Sequence, residues 1–480
     1  KFEGRSLGQR PEMLSVARTG AAALKGSARS VSALATRDVL AKAPTAEVSE
    51  LKNGLRVSTE NNGRPTATIG VYIETGSRYE NDSNSGVSRF LEHLVHKGTG
   101  KRAAAQLESE LEAIGARLQS ETNRDSTSVY VHAASGDVEK VVDILADVLR
   151  NSKLDASAIE AERAQLLASL AEAEDDHMGV VMDNLHSAAF QGTSLARSPL
   201  GTTKGIKSID ASTLKQWQAD HYRPVRMVFS AVGGVEHGKL ASLAEKHFGD
   251  LSNTYPGQVP HADGVRFTGS EFRFRNDNVP HMYGAIAVEG VGYGHRDALA
   301  LRVASQFVGQ WDVTHGASYN APSKLVQQVS HGYNLYAFNN FSLNYKDTGL
   351  FGAQFVCKGD SLDDATSIAR WLQHEWRHLS SAVTDEEVAR SKNALRTQLY
   401  QQLESNCQKA AFNAKELLYT GGVRSLADIE ESLEKLDKGA IQAAVSRHVY
   451  DRDVAASGVG RTEAWPNYAS LRYGMSWWKL

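Results

Sequence analysis

Residues 88–99 read SRFLEHLVHKGT and nearly form the inverted zinc-binding motif H-x-x-E-H. In that motif two histidines four residues apart on one helix face bind Zn²⁺, and the glutamate acts as general base for the metal-bound water. Here Arg89 stands where the first histidine belongs, ahead of Glu92 and His93. A guanidinium stays protonated and offers no lone pair, so Arg89 cannot coordinate a cation. This position decides whether the chain is a peptidase or a non-catalytic protein with the fold of a peptidase.

The composition excludes several functional classes. The 480 residues are enough for two to four domains. A formal net charge of -3 gives no reason to expect nucleic acid, which requires a concentrated basic surface. The only cysteines, Cys357 and Cys407, favour a reducing compartment such as the cytosol or the mitochondrial matrix. No segment approaches the roughly 20 apolar residues of a membrane-spanning helix, so we expect the chain to be peripheral to any membrane.

The first 37 residues differ from the rest of the chain. Residues 13–37 contain no acidic residue. They carry four basic side chains among Ala, Ser, Leu and Val, namely Arg18, Lys25, Arg29 and Arg37. This pattern is typical of a mitochondrial import presequence, and a disordered basic tail is the alternative. We expect Met13 to be the initiator, residues 1–12 to be upstream sequence, and the mature chain to begin between residues 30 and 38.

The remaining chain repeats itself. Residues 221–237 read HYRPVRMVFSAVGGVEH, and residues 448–464, which start 227 positions later, read HVYDRDVAASGVGRTEA. Both pass from the end of a polar helix into a short apolar strand that closes on glycine. Residues 156–167 and 385–396 form a second pair, offset by 229. Two matches at nearly one offset predict a duplicated domain.

Hydrophobic periodicity predicts a similar set of strands and helices in both halves. Alternating strands are predicted at 67–73, 127–133, 282–288 and 349–356. Helical spacing is found at 103–114, 138–150, 156–174, 297–308, 363–379 and 385–403. Mixed strands and helices of this kind predict an α+β fold. The Pro- and Gly-containing segment 252–269 is the predicted linker between domains at 38–251 and 270–480, with residues 1–37 as the presequence and upstream segment.

Several segments carry a family resemblance. They are VYIETGSRYEND at 71–82, FLEHLVHKGTGKR at 90–102, LHSAAFQGTSLA at 185–196, YKDTGLFG at 345–352 and GMSWWKL at 474–480. With them the chain resembles the pitrilysin/insulysin superfamily of metallopeptidases over nearly all of its mature length. Within it, the chain resembles the mitochondrial branch of processing peptidase subunits and core subunits of ubiquinol-cytochrome c reductase. The terminal segment and RFTGSEFRFRNDNVP at 266–280 resemble the core subunits in particular. The resemblance implies two homologous domains, each a mostly antiparallel sheet backed by helices, that enclose a cavity.

The resemblance also bears on the metal. The family takes its third zinc ligand from a glutamate that follows another glutamate by seven residues, two turns along one helix. On this chain the earlier glutamate matches Glu162, and the ligand position falls on Ser169, whose hydroxyl is a poor zinc ligand. A zinc site is worth roughly 10–16 kcal/mol in total, so losing two of three ligands weakens binding by orders of magnitude.

We therefore expect no bound metal, no cofactor and no catalytic residue on this chain. Arg89 and Glu92 lie three residues apart on one helix and can pair where the metal charge would have been. His93 and His96 could share a metal with Glu92, but we expect them to act in packing or hydrogen bonding.

Three functions remain open from the resemblance. The first is a non-catalytic core subunit on the matrix side of the mitochondrial inner membrane. Its implied partners are a second core subunit, cytochrome b, cytochrome c1, the Rieske protein and small subunits, with all redox chemistry on those other chains. The second is a zinc-dependent processing peptidase beta-type subunit, which Arg89 and Ser169 oppose. The third is that peptidase's alpha subunit, whose glycine-rich loop is missing because residues 308–325 hold only Gly309 and Gly316. We predict the first.

Overall fold

The structure is a computed structural model, and it describes residues 39–40, 42–255, 259–315, 320–321, 323–329, 335–359 and 364–477. The predicted presequence lies outside this range. So do residues 316–319 and 322 of the segment that was compared with the alpha subunit's loop. Residues 252–255 and 259–269 form neither helix nor strand.

The first half contains a six-stranded sheet. Its strands are β1 (Glu47–Glu50), β2 (Arg56–Asn61), β3 (Thr66–Ile73), β4 (Arg117–Thr122), β5 (Thr127–Ala134) and β6 (Met227–Gly233). The order across the sheet is β1-β2-β6-β3-β5-β4. Neighbouring strands are antiparallel except β2 and β6, which run parallel.

The second half repeats this design. Its strands are β7 (Glu271–Arg275), β8 (Met282–Glu289), β9 (Gln310–Asp312), β10 (Leu335–Asn344), β11 (Gly349–Cys357) and β12 (Ala455–Gly460). They are ordered β7-β12-β8-β11-β10-β9, with β7 and β12 parallel. The run β2-β6-β3-β5-β4 thus recurs as β7-β12-β8-β11-β10. This confirms the predicted duplication and the α+β class, and the repeated sequence segments become the equivalent strands β6 and β12.

Sixteen helices are found among the described residues. The first half has α1 (Val87–Leu94), α2 (Ala104–Ala113), α3 (Val138–Arg150), α4 (Ala156–Ala173), α5 (His177–Ala189), α6 (Thr203–Ser208), α7 (Ala211–His221) and α8 (His237–Phe248). The second has α9 (Ala298–Val308), α10 (Lys324–Val329), α11 (Asp364–Ser381), α12 (Asp385–Glu404), α13 (Asn406–Thr420), α14 (Leu426–Lys435), α15 (Lys438–His448) and α16 (Tyr468–Tyr473). Each helix predicted from periodicity lies on one of these. None of the described helices is long and apolar enough to span a membrane.

The two halves exchange one helix each. Helix α5 of the first half packs on the second sheet, where Leu185 joins Ala287 in a buried cluster. Helix α13 of the second half packs on the first sheet, where Leu417 joins Val228. Burying one leucine contributes about 1.5–3 kcal/mol. Because each sheet is covered on one face by a helix from the other half, the halves share their cores and are held in a fixed relation.

A buried cation ties two of the motif segments together across the halves. Arg78 Nη1 donates to Asp125 Oδ1 at 2.9 Å, and its Nη2 donates to Asp347 Oδ2 at 2.6 Å. Arg78 belongs to the segment 71–82, and Asp347 belongs to YKDTGLFG of the second half. Charge-assisted bonds of this kind fix geometry more firmly than neutral ones.

Candidate functional site

The degenerate motif lies on helix α1, whose start is fixed by a buried carboxylate. Glu80 accepts hydrogen bonds from the backbone N–H groups of Gly86 (2.7 Å) and Ser88 (3.0 Å). A carboxylate at a helix N-terminus satisfies otherwise unpaired donors. Burial raises the pKa of Glu80, and these backbone bonds oppose that rise. The apolar residues Phe90 and Leu94 on the other face are fully buried, so the helix cannot rotate.

Strand β4, an edge strand of the first sheet, holds the other side of α1. Ser120 Oγ donates to the backbone oxygen of Glu92 at 3.0 Å, and Thr122 Oγ1 donates to that of Ser88 at 3.4 Å. A cavity of about 460 Å³ lies between this strand and the helices α1 and α4. Glu92, His93, His96, Lys97 and Glu162 are among the residues that line it.

Arg89 and Glu92 form the pair that their spacing predicts. Arg89 Nη1 donates to Glu92 Oε1 at 2.7 Å. The Glu92 side chain is 9% exposed and that of Arg89 is 30% exposed. The second oxygen of Glu92 is buried and has no hydrogen-bond partner. Among the described residues, the guanidinium of Arg89 is therefore the one group that forms an ion pair with this buried carboxylate.

Glu162 joins His93 to a second cation. The Glu162 carboxylate, which is 3% exposed, lies 3.2 Å from His93 Nδ1 through Oε2. Its Oε1 lies 2.5 Å from Lys97 Nζ. Sequence reasoning singled out Glu162 but missed Lys97. The lysine lies three residues beyond the end of α1, and only the packing of α4 against α1 brings it to Glu162.

The two remaining predicted residues, Ser169 and His96, take no part in these ion pairs. Ser169 is half-buried on α4 and does not line the cavity. His96 Nε2 lies 3.5 Å from Ser120 Oγ. Burial lowers the pKa of His96, the charge of Lys97 lowers it further, and the carboxylate of Glu162 opposes this shift.

Metal-ligand geometry is absent from this cavity among the described residues. Within the described ranges, one group of three His, Cys, Asp or Glu side chains has its potential ligand atoms within 4.8 Å of one another. It is formed by His295, Asp297 and His448, away from this cavity. There Arg447 and His448 already donate to Asp297. At the degenerate motif, the carboxylates of Glu92 and Glu162 form ion pairs with Arg89 and Lys97 instead.

A duplicated α+β domain with an H-x-x-E-H-like helix against an edge strand defines a protein of the inverted-motif metallopeptidase class. The family model "Insulinase (Peptidase family M16)" matches residues 56–203, and "Peptidase M16 inactive domain" matches residues 208–395. The chain belongs to peptidase family M16.

The chain is similar to two kinds of mitochondrial protein. Cytochrome b-c1 complex subunit 1 of Caenorhabditis elegans is 62% identical over 449 residues, which are 94% of this chain and 95% of that protein. The mitochondrial-processing peptidase subunit beta of Bos taurus is 38% identical over 452 residues, 94% of this chain and 92% of that protein. A chain of complex III2 from Candida albicans has the same fold, with a TM-score of 0.79, 24% identity, and coverage of 90% of this chain and 100% of that one.

Proposed function

We propose that this chain is a non-catalytic core subunit, of the subunit 1 type, in a mitochondrial cytochrome b-c1 complex, which is the ubiquinol-cytochrome c reductase of the respiratory chain. The observation that carries this proposal is the 62% identity over nearly the whole length to subunit 1 of that complex, against 38% to the processing peptidase. The fold shared with a complex III2 chain agrees with it.

The chain's role in this proposal is structural. It sits at the matrix side of the inner membrane as a peripheral scaffold for assembly and stability. Its partners are a second core subunit, cytochrome b, cytochrome c1, the Rieske protein and small subunits. The electron-transfer cofactors belong to those partners, and this chain holds none. The absence of a membrane-spanning helix among the described residues is compatible with a peripheral position.

The loss of peptidase activity follows from the electrostatics of the site. Zinc ligation needs lone pairs from imidazole or carboxylate groups. Arg89 brings a permanent positive charge to the first ligand place, and Lys97 holds Glu162 at 2.5 Å. A dication entering the cavity would meet Lys97 in its wall and would have to displace this lysine from Glu162. The residues present do not fit Zn²⁺, so no hydrolytic step is assigned to them.

The alternative is a processing peptidase beta-type subunit with zinc-dependent presequence cleavage. It is favoured by the retained Glu92 and His93 and by a 460 Å³ cavity open to the sheet edge at β4. The two functions differ in metal content. The alternative requires one zinc per chain, with His93 as a ligand, and cleavage of a presequence peptide.

The test measures zinc by mass spectrometry on the purified full chain and cleavage of a synthetic presequence peptide, with and without its co-purifying partner. The core-subunit function predicts no stoichiometric zinc, no cleavage, and co-purification with cytochromes b and c1. Stoichiometric zinc that is lost in His93→Ala, together with cleavage, would establish the alternative. Arg89→His with Ser169→Glu should raise zinc occupancy, whereas the matched control Arg89→Gln with Ser169→Gln adds no ligand and should not.

A further inference from the structure

A second and larger cavity lies between the two halves, and the proposed function does not use it. Its volume is about 610 Å³. Its wall comes from the loop between β4 and β5 in the first half and from α9, α12 and α13 in the second. We call it the interdomain cavity. It shares the exposed residue Glu121 with the cavity beside α1 but has none of the motif residues in its wall.

Two cations in this wall form no ion pair with any residue that the structure describes. They are Arg302 on α9 and Lys415 on α13, both half-buried. Neither side chain makes a hydrogen bond or an ion pair with any residue in the described part of the chain. Lys415 Nζ instead lies over two phenol rings, 5.1 Å from the centroid of Tyr293 and 5.6 Å from that of Tyr419. Aromatic faces attract a cation but do not neutralise it.

The two carboxylates that act electrostatically on these cations, Asp125 and Glu416, are already bonded elsewhere. Asp125 accepts from Arg78 on one oxygen and from the backbone N–H of Lys346, at 2.9 Å, on the other. Glu416 accepts from Tyr293 Oη at 2.8 Å and from both Nε and Nη2 of Arg424.

Arg302 and Lys415 therefore place two positive charges on this wall without an ion pair to a described residue. Burial lowers the pKa of both side chains, and the charge of Arg302 lowers that of Lys415 further, whereas Asp125 and Glu416 raise the pKa of Lys415 and Glu416 raises that of Arg302. Two half-buried like charges without an ion pair favour an anion between them.

We propose that the interdomain cavity binds a small organic anion, with a carboxylate or phosphate group held between Arg302 and Lys415. The guanidinium offers a planar fork of donors and the ammonium a point charge, which together suit either oxyanion. Amide groups from opposite halves, on Asn123 and Gln402, line the same cavity and can orient the rest of the ligand. The volume falls within the 300–1,000 Å³ of ordinary small-molecule sites, so the occupant is a metabolite-sized anion and not a folded partner.

Binding at this place would connect the halves through a ligand. Residues from both halves line the cavity, so an anion there adds contacts that exist only when the shared core is intact. The unfolded chain lacks the site, and ligand binding therefore raises the melting temperature by mass action.

The experiment uses the full chain with two probes, inorganic phosphate and succinate, each titrated at constant ionic strength set with sodium chloride. Isothermal calorimetry gives the affinity, and thermal unfolding gives the shift. We expect saturable binding of at least one probe, weakened about tenfold or more in Arg302→Gln and in Lys415→Gln. Arg370→Gln, on the exposed face of α11, is the matched control and should bind as wild type does. Binding of phosphate alone indicates a phosphate-bearing ligand, and binding of succinate alone a carboxylate-bearing one.

Two further variants guard against misfolding. Arg302→Lys and Lys415→Arg keep the charge but change the donor geometry, and each should retain most of the affinity. Without ligand, the two glutamine variants should still unfold in a cooperative transition, which shows that a loss of binding is not a loss of the fold. The proposal is overturned if neither probe binds saturably, if both glutamine variants bind as wild type does, or if Arg370→Gln weakens binding equally.

Discussion

Replacing Arg89 by alanine tests whether this side-chain cation balances the buried negative charge at the degenerate motif. The variant removes the bond from Arg89 Nη1 to Glu92 Oε1, 2.7 Å long, and leaves Glu92 with no direct cationic partner. The carboxylate stays buried, since the helix face opposite it is fixed by Phe90 and Leu94. We therefore expect a loss of stability larger than that of a surface ion pair.

The magnitude follows from the exposure of the two partners. Removing one member of a fully buried pair costs about 3–5 kcal/mol, whereas an exposed pair contributes about 0–1 kcal/mol. Glu92 is 9% exposed but Arg89 is 30% exposed, so solvent screens part of the interaction. We expect about 2 kcal/mol. If the halves unfold as one unit of roughly 430 residues, the unfolding entropy is about 0.9 kcal/mol/K and the melting temperature falls by about 2 °C.

Urea unfolding of a double-mutant cycle measures this term more directly. The cycle comprises Arg89→Ala, Glu92→Gln and the double variant, with a coupling energy of about 1–2 kcal/mol expected. Lys435→Ala is the matched control, because Lys435 and Glu431 form a helical pair that is 73% and 64% exposed. That control should lose no more than about 0.5 kcal/mol. A coupling near zero, or equal losses in Arg89→Ala and the control, would refute the reasoning.

Three other outcomes can be measured by unfolding. Burial lowers the pKa of His186 to about 3, below its unfolded value of about 6.5. Stability should therefore fall as pH drops below about 6.5, by about 2 kcal/mol at pH 5, and urea unfolding of His186→Gln should show a smaller loss between pH 7 and 5. Leu417→Ala should cost about 2–5 kcal/mol and, in calorimetry, begin to separate the unfolding of the two halves; a single unchanged transition would contradict this. Gly460 has φ of +97° and a backbone oxygen 2.3 Å from any added Cβ, so Gly460→Ala should lose at least about 2 kcal/mol, whereas Gly439→Ala within α15 should be neutral or stabilising.

Much of the fold is predictable from local pattern. The helix predicted at 156–174 is observed as Ala156–Ala173, and the strand predicted at 349–356 as Gly349–Cys357. The period of apolar residues specifies which element forms and which face is buried. Strand β10 was not predicted, because Asn339 and Asn340 interrupt its alternation. It forms because its backbone pairs with β9 on one side and β11 on the other.

The exchange of α5 and α13 could not be predicted in this way. An apolar helix face shows that something covers it, but it does not show which sheet does. The same limit applies to the site. The pair of Arg89 and Glu92 follows from an i,i+3 spacing, whereas Lys97 meets Glu162 only through tertiary packing, 65 residues apart in sequence. The place of Ser169 rests on family resemblance, because its side chain makes no hydrogen bond with the described residues that would single it out.

Under the proposed function, the charges at the degenerate motif would let a fold of the peptidase family be stable without a metal ion. Arg89 and Lys97 contribute two positive charges, and Glu92 and Glu162 contribute two negative ones, so the site is balanced by the chain itself. In a zinc site, metal binding and folding are coupled, because the buried ligands require the cation. Here each carboxylate is paired with a cationic side chain of the same polypeptide, and the two meet when the chain folds. If the proposed function holds, the stability of the first domain does not depend on metal supply, which suits a structural subunit of an assembly.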